Sequence, residues 1–322
     1  MPIDLDTLRL GLTRTVDATD FPGLGRKYEG KVRDNYSLPD GTRVLVTTDR
    51  ISAFDRVLGT LPFKGQVLNG LSSWWFDATK DVAPSHVISV PDPNVTIGRE
   101  CRGVPLEFVV RGYLTGVTDT SIWTAYSRGD RLYCGHELPD GLRKHERLPH
   151  PLLTPTTKAE QGAHDELISR DAAIAQGLVG AELYDRAETM VLRLFAEGQQ
   201  WAEKQGLILV DTKYELGFDD AGTLTVIDEI HTPDSSRYWY LDTYERAMAD
   251  GADPKAMDKE FVRRWYAAQG YKGDGTPPPL TDAVRCEAAQ RYIETYERIT
   301  GLAFVPDPEP PLERIRRNLG IA

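Results

Sequence analysis

The chain has 322 residues, 40% of them hydrophobic, and a formal net charge of −11. That length suits one or two packed lobes whose core needs no covalent staples. The acidic balance argues against non-specific nucleic-acid binding, which rests on surplus Lys and Arg, but leaves room for a small anionic ligand on a local cluster of cations.

The segment Met1–Leu12 carries charges every few residues, and no stretch of the chain approaches the roughly 20 apolar residues of a membrane span. A soluble, cytoplasmic protein without a membrane partner is expected. Cys101, Cys134 and Cys286 are odd in number, far apart and outside any CxxC, so neither a disulfide framework nor a cysteine zinc site is expected.

The first half reads as strands and turns. A hairpin over Tyr28–Thr48 follows from the alternation in Lys31–Tyr36, the turn signal Leu38-Pro39-Asp40-Gly41 and the β-branched run Arg43–Thr48, with Gly30 and Lys31 near its open end. Val67–Phe76 reads as the start of a helix. Leu106–Val110 reads as an apolar strand that ends in Arg111-Gly112. Arg131–Pro155, rich in Gly, Pro, His and charge, reads as a long irregular connection.

Beyond Ala181 the pattern turns helical. Leu183, Ala187, Met190, Val191, Leu194, Phe195 and Trp201 recur at three- and four-residue steps and Gly206 stops the run. Further helices are expected in Asp258–Gln269 and in Thr281–Thr300, the latter bracketed by Thr281 and Gly301. Val305–Pro311 reads as a loose or surface-wrapping tail. An α+β protein results, with an N-terminal sheet lobe and a mixed, more helical C-terminal lobe.

Between these helices lies an acidic strand pair. In Leu207–Leu216, Asp211, Lys213 and Glu215 share one face, while Val210, Thr212, Tyr214 and Leu216 share the other. The turn Asp219-Asp220-Ala221-Gly222 and the strand Leu224–Ile230 bring Asp228 and Glu229 back beside them. A solvated strand face with a Lys–carboxylate pair is the ordinary explanation. Against it, alternation sets Asp228 on the apolar face of Leu224, Val226 and Ile230, where an unpaired carboxylate is costly. Clustered carboxylates repel unless a cation sits among them, and magnesium, which takes one or two carboxylates plus phosphate oxygens and water, resolves both problems.

Candidate anion contacts flank this pair. Gly30-Lys31-Val32-Arg33 offers a flexible backbone beside two cations, either an ordinary hairpin end or a phosphate cover, and no Walker A or GxGxxG pattern is present. His231–Tyr240 gathers Thr232, Ser235, Ser236 and Arg237, a set suited to a phosphate or carboxylate or simply to a Pro-Asp turn. Arg111 is a sheet cap or an anion contact, and Lys158 in Thr154–Glu160 is equally open. The six histidines show no metal-binding spacing; His164 alone merits attention.

Gly30–Asp34, Thr48–Asp55, Pro105–Gly116, Thr154–Glu166, Leu209–Gly217 and Asp228–Trp239, in that order, resemble blocks of the SAICAR synthetase family. The resemblance covers most of the chain between Tyr28 and Thr300. It implies a two-lobed, kinase-like or ATP-grasp-like arrangement, with a nucleotide-binding lobe over residues 1–110 and a substrate and metal lobe over 111–322. It implies an ATP-dependent ligase that joins L-aspartate to a carboxylated imidazole ribonucleotide, with ATP and magnesium in the cleft and small molecules as its partners; nucleic acid and membrane are not among them, and no oligomeric state follows. Gly30, Lys31, Arg33, Glu107 and Lys158 are implied as nucleotide contacts, and Glu215 and Asp228 as the magnesium pair. Arg111, Asp211, Lys213, Ser236 and Arg237 are implied on the substrate side, with Lys213 and Asp211 nearest the chemistry. Where many members carry Ser after the Thr-Gly of the first signature, this chain has Val117, with Thr118, Thr120 and Ser121 as the nearby hydroxyls. A kinase-like phosphotransferase and a nucleotide-binding protein without turnover are the rival readings.

Overall fold

A computed structural model describes residues 3–54, 56–118, 120–158, 166–257 and 260–321. After the short helix α1 (Leu5–Gly11), the chain builds an antiparallel meander from β1 (Arg26–Glu29), β2 (Arg33–Ser37) and β3 (Thr42–Thr47). A small pair, β4 (Arg50–Ala53) and β5 (Arg56–Thr60), leads into α2 (Lys64–Ala78). Then β6 (Val87–Asp92) and β7 (Val95–Arg99) complete a five-stranded sheet in the order β1-β2-β3-β7-β6. The hairpin expected over Tyr28–Thr48 is present, but Gly30 and Lys31 form the tight turn between β1 and β2 rather than an open end. Strand pairing runs right up to Glu29↔Asp34, and the Gly30 N–H donates to the Arg33 carbonyl at 2.8 Å.

The second sheet is built on two long strands. Strand β8 (Arg102–Tyr113) is followed by α3 (Ile122–Ser127), the two-residue strands β9 (Leu132–Tyr133) and β10 (His136–Glu137), then β11 (Arg147–Leu153) and β12 (Thr156–Thr157). The chain continues through α4 (Arg170–Ala175) and α5 (Ala181–Lys204) into β13 (Leu207–Phe218), β14 (Leu224–Ile227) and β15 (Ser236–Tyr240). The sheet runs β11-β8-β13-β14, with β12 on β8 and β15 on β13. The remaining helices are α6 (Leu241–Asp250), α7 (Glu260–Ala268), α8 (Asp282–Thr300) and α9 (Pro311–Leu319).

Burial explains the β8–β13 ladder. Val104, Leu106, Phe108 and Val110 of β8, with Tyr214 and Leu216 of β13, face a core closed by Tyr184, Ala187, Val191, Leu194 and Phe195 of α5. The opposite face is thereby left for charge. Alternation along β13 does not hold throughout: Leu207 and Leu209 belong to that core, but Ile208 and Val210 pack with Tyr113 and Trp239. A register shift against β15 between Leu209 and Asp211 reverses the facing, so Val210 does not share a face with Tyr214 and Leu216 as expected.

Four further expectations change. Arg111 lies inside β8, paired with Leu152 on one side and Asp211 on the other, because β8 continues to Tyr113. The 131–155 connection contains β9, β10 and β11. The second acidic strand ends at Ile227, and Asp228 takes a left-handed φ of 69°. The tail ends in α9, whose Arg314, 1% exposed, pairs with the fully buried Asp92 at 2.9 Å while Ile315 enters the core of the first sheet.

The α8 caps behave as read, with the Thr281 hydroxyl accepting the Val284 N–H at 3.4 Å and Gly301 left-handed at φ 72°. The three cysteines are free thiols, and no described helix is long and apolar enough to cross a membrane.

Candidate active site

The charged face of the β8–β13 ladder sets residues opposite one another by register: Arg111 against Asp211, Val109 against Lys213, Glu107 against Glu215. Two residues of strand advance about 7 Å, so Asp211 and Glu215 stand roughly 13 Å apart with Lys213 midway.

At one end a carboxylate lies between two guanidiniums. Asp211 Oδ2 is 3.6 Å from Arg111 Nη1 and 3.7 Å from Arg237 Nη1, and it is buried without a hydrogen bond. Register produces this sandwich, because Asp211 is the partner of Arg111 on β8 and of Arg237 on β15. Arg111 Nε donates to Thr154 Oγ1 at 2.9 Å and Arg237 Nη1 to Thr115 Oγ1 at 3.4 Å. Two cations on one anion leave a net positive charge that suits a further carboxylate or phosphate. Ser236 is not brought to this cluster: its hydroxyl pairs with that of Thr212 at 2.7 Å.

At the centre, Lys213 Nζ donates to Glu107 Oε1 at 2.5 Å and lies 3.4 Å from Glu215 Oε1. Thr156 Oγ1 holds the other Glu107 oxygen at 3.2 Å, and Lys158 Nζ reaches Glu215 Oε2 at 2.5 Å. Burial works against ionising Glu215, but Lys213 and Lys158 outweigh it and hold the carboxyl below its usual range. Burial likewise works against Lys213, yet Glu215 and Glu107 keep its ammonium charged above the ordinary lysine range.

At the other end, Arg33 Nη2 donates to Asp228 Oδ2 and to Glu229 Oε1, both at 2.8 Å, joining the first sheet to the acidic loop. Burial pushes the Asp228 carboxyl up to about 6, with the neighbouring Glu215 and Glu229 charges adding to it and Arg33 opposing. Among the described residues, no three His, Cys, Asp or Glu side chains converge to cage a metal by themselves. Two carboxylates, one of them resisting ionisation because it is desolvated beside the Glu215 and Glu229 charges, fit a dication completed by phosphate oxygens and water.

The turn that presents Arg33 is held from behind. Arg50, 4% exposed at its side chain, donates to the carbonyls of Gly30 at 2.9 Å and Lys31 at 3.1 Å and to Asp34 Oδ1 at 2.8 Å. The Thr48 N–H and hydroxyl both donate to the Val32 carbonyl, at 3.0 and 2.8 Å. The backbone of the glycine turn is thus fixed by the Thr48–Arg50 segment, and Lys31 lies exposed within it.

The partners of several groups here are not legible in the sequence. Glu229 is as firmly held by Arg33 as Asp228 and also accepts from Thr232 Oγ1. Lys64, fully buried, reaches Asp234 at 2.8 Å, and Tyr292 OH donates to the other oxygen of Asp234 at 2.6 Å. Asp234 lies in the quoted block His231–Tyr240, but its partners are 170 and 58 residues away. His231, adjacent to the acidic loop, is a core residue: it pairs with Tyr214 OH at 2.6 Å, and burial pushes its pKa down to about 3. His164 lies outside the described residues, as do the rest of 159–165. Val117 is 76% exposed, and Ser121 Oγ is engaged with the Thr118 carbonyl and Thr124 Oγ1, both at 2.8 Å.

Comparison with known proteins extends this picture. The family model described as SAICAR synthetase matches residues 26–278. The chain is 48% identical to the putative phosphoribosylaminoimidazole-succinocarboxamide synthase 2 of Agrobacterium fabrum over 308 residues, 95% of this chain and 98% of that protein. It is 49% identical to the phosphoribosylaminoimidazole-succinocarboxamide synthase of Legionella pneumophila (strain Lens) over 305 residues, 94% and 96% of the two chains. Among solved structures, it is similar to the SAICAR synthase of Saccharomyces cerevisiae complexed with SAICAR, at TM-score 0.79 and 29% identity over 90% of this chain and 100% of that one. It is also similar to a SAICAR synthetase in complex with ADP, at TM-score 0.64 and 25% identity over 87% and 100%.

Proposed function

The chain belongs to the SAICAR synthetase family, and we propose that its charged β8–β13 face performs that family's ligation. L-Aspartate is condensed with phosphoribosyl-aminoimidazole carboxylate, at the expense of ATP, to give SAICAR, ADP and phosphate in de novo purine biosynthesis. The protein is a carbon–nitrogen ligase of the acid–amino-acid type. The observation that carries this reading is the single strand β13, which lines up an anion-accepting end at Asp211, a charged lysine at 213 and an acidic end at Glu215.

The division of labour follows the order of the strand. The lobe over residues 1–110 covers the nucleotide in a kinase-like manner: Gly30, Lys31 and Arg33 approach the phosphates, Glu107 lies towards the adenine side, and Lys158 contacts the nucleotide where it now pairs with Glu215. The lobe over 111–322 carries the imidazole substrate, with Arg111 and Arg237 on its anionic groups, Asp211 between them, and Ser236 buttressing the same strands through Thr212. Glu215 and Asp228 would hold magnesium, which, when bound, draws off charge from the phosphate oxygens.

A carboxylate is a poor electrophile, so an amine displaces its oxygen only after activation. The imidazole carboxylate oxygen attacks the γ-phosphorus of ATP and ADP leaves, forming an acyl phosphate. The aspartate amine then attacks the acyl carbon, loses a proton, and expels phosphate as the amide forms. Lys213, kept charged by Glu107 and Glu215, neutralises the attacking carboxylate, and the two arginines hold it in line. Asp211 is the nearest carboxylate to the substrate end and the proposed proton acceptor.

Phosphate release from ATP, assayed with the imidazole carboxylate nucleotide in the presence and absence of L-aspartate, tests the reading. Release of phosphate and appearance of SAICAR only with aspartate are expected. Stoichiometric phosphoryl transfer to a stable product without aspartate would make the protein a phosphotransferase instead, and ATP binding without turnover in any mixture would make it a non-catalytic binder.

A further inference from the structure

Behind Arg237 runs a chain of hydrogen bonds whose direction is fixed at its far end. Asp253 Oδ1 lies 2.7 Å from His145 Nε2 and 2.8 Å from Lys144 Nζ. An ionised carboxylate only accepts, so Nε2 carries the proton and, in the neutral ring, Nδ1 accepts. Its partner is the Thr115 hydroxyl at 2.8 Å, which must donate. The Thr115 oxygen then turns a lone pair towards Arg237 Nη1 at 3.4 Å. His145 takes a left-handed φ of 68° and is nevertheless over-determined: its N–H donates to the Leu114 carbonyl at 2.7 Å, and its own carbonyl accepts from Tyr244 OH at 2.8 Å. Its ring stands edge-on to Trp239 with centroids 5.3 Å apart. Strain of this kind in a non-glycine residue persists only where the surroundings impose it.

We infer that Thr115 and His145 are positioning residues for Arg237, the relay from Asp253 fixing the orientation of the Thr115 hydroxyl and so the place of the guanidinium that meets the imidazole substrate. The inference rests on the assignment of Arg237 to that substrate. Protonation of His145 breaks the relay. Nδ1 becomes a donor and takes one lone pair of the Thr115 oxygen, so the hydroxyl hydrogen loses its acceptor and competes with Arg237 Nη1 for the remaining positions around that oxygen. The groups that bear on this protonation are Asp253, which favours it, and Lys144 and Arg237, which oppose it along with burial; Tyr244 contacts only the backbone. Burial, the largest of these influences, lowers the His145 pKa from its ordinary value, so the neutral ring is favoured.

Steady-state kinetics of the full chain with Thr115→Val, Thr115→Ser and Arg237→Ala test this. Thr115→Val is expected to raise KM for the imidazole nucleotide about tenfold, the loss of one hydrogen bond to a charged group, with kcat and the KM for ATP unchanged. Thr115→Ser, which keeps the hydroxyl, retains the wild-type KM. Between about pH 8 and pH 5, KM rises more steeply in the wild type than in Thr115→Val, which has no relay to break. In the Arg237→Ala background, Thr115→Val adds nothing. If Thr115→Ser is as impaired as Thr115→Val, packing and not the hydroxyl is at work and the relay is overturned. If Arg237→Ala raises KM but Thr115→Val does not, the relay alone fails; if Arg237→Ala leaves KM unchanged, the substrate assignment fails and takes the relay with it.

Discussion

Arg33 and Asp228, 195 residues apart in the chain, meet at 2.8 Å, and this contact joins the turn of the first sheet to the acidic loop of the second. The pair is unequal: Arg33 also holds Glu229, while the Asp228 carboxyl is pushed up to about 6 by burial and by Glu215 and Glu229.

That inequality predicts opposite effects of Asp228→Asn on turnover and on stability. Loss of the charge should lower turnover on the order of 10²–10³-fold, if the residue helps to hold the nucleotide's metal. A carboxyl whose folded pKa lies above its unfolded value of 3.8 supports folding fully below that value and loses this support as pH rises through about 6. Relative to wild type, the ligand-free Asn variant should therefore gain thermal stability as pH rises from about 4 to about 6, with little further change above. A stability difference independent of pH, or near wild-type turnover at saturating magnesium, would contradict the assignment.

Removing either arginine of the Arg111–Asp211–Arg237 sandwich should weaken the imidazole substrate selectively. Arg111→Ala and Arg237→Ala are each expected to raise its KM about 10- to 100-fold, the loss of a charge-assisted contact, with the KM for ATP little changed. Steady-state titration of each substrate in turn checks the split. A rise confined to the ATP term would place the guanidiniums on the wrong side of the cleft.

Lys213→Met leaves Glu107 and Glu215 facing one another without the ammonium between them. Its kcat should fall by about 10²–10³-fold. Lys213 is the foremost of the charges that hold the Glu215 carboxyl down, so the acid limb of the pH–rate profile should also move to higher pH. An unmoved limb would show that Glu215 ionisation does not shape the profile.

Arg314→Ala should destabilise the fold without touching the site. It strands Asp92, which is fully buried and otherwise held by Asn318 at 2.8 Å and by the Asn94 N–H at 2.8 Å. Removing one partner of a buried pair costs about 3–5 kcal/mol, read as a lowered midpoint in urea with unchanged KM values.

Much of this molecule was legible in its sequence because period and punctuation are local. The helix of Thr281–Thr300 carries its own caps, the first hairpin its own turn, and Asp211, Lys213 and Glu215 their shared face. What was illegible depends on distant partners. Nothing near Gly30 says that Arg50 will hold the turn's carbonyls, and nothing near His145 says that Asp253 will orient it. Alternation sets Asp228 on an apolar face, but the strand ends one residue earlier, and at a left-handed bend its half-buried carboxylate meets Arg33 instead. The apolar run Leu106–Val110 gives no sign that the strand continues through Arg111 and Gly112 to Tyr113. In the fold that glycine lies against Phe195 and Gln199 of α5, where a side chain would collide, so it marks close packing and the strand runs on.

The clamp of α9 on the first sheet has a consequence for how the protein is made. Arg314 reaches Asp92 from 222 residues downstream, and Ile315 fills the same core as Tyr36, Val44 and Val95. During vectorial synthesis, the first sheet therefore waits, with an open core and with Asp92 lacking its arginine, until α9 follows. Its completion depends on the arrival of α9 and not on its own emergence, and the nascent first sheet depends on protection from aggregation in the interval.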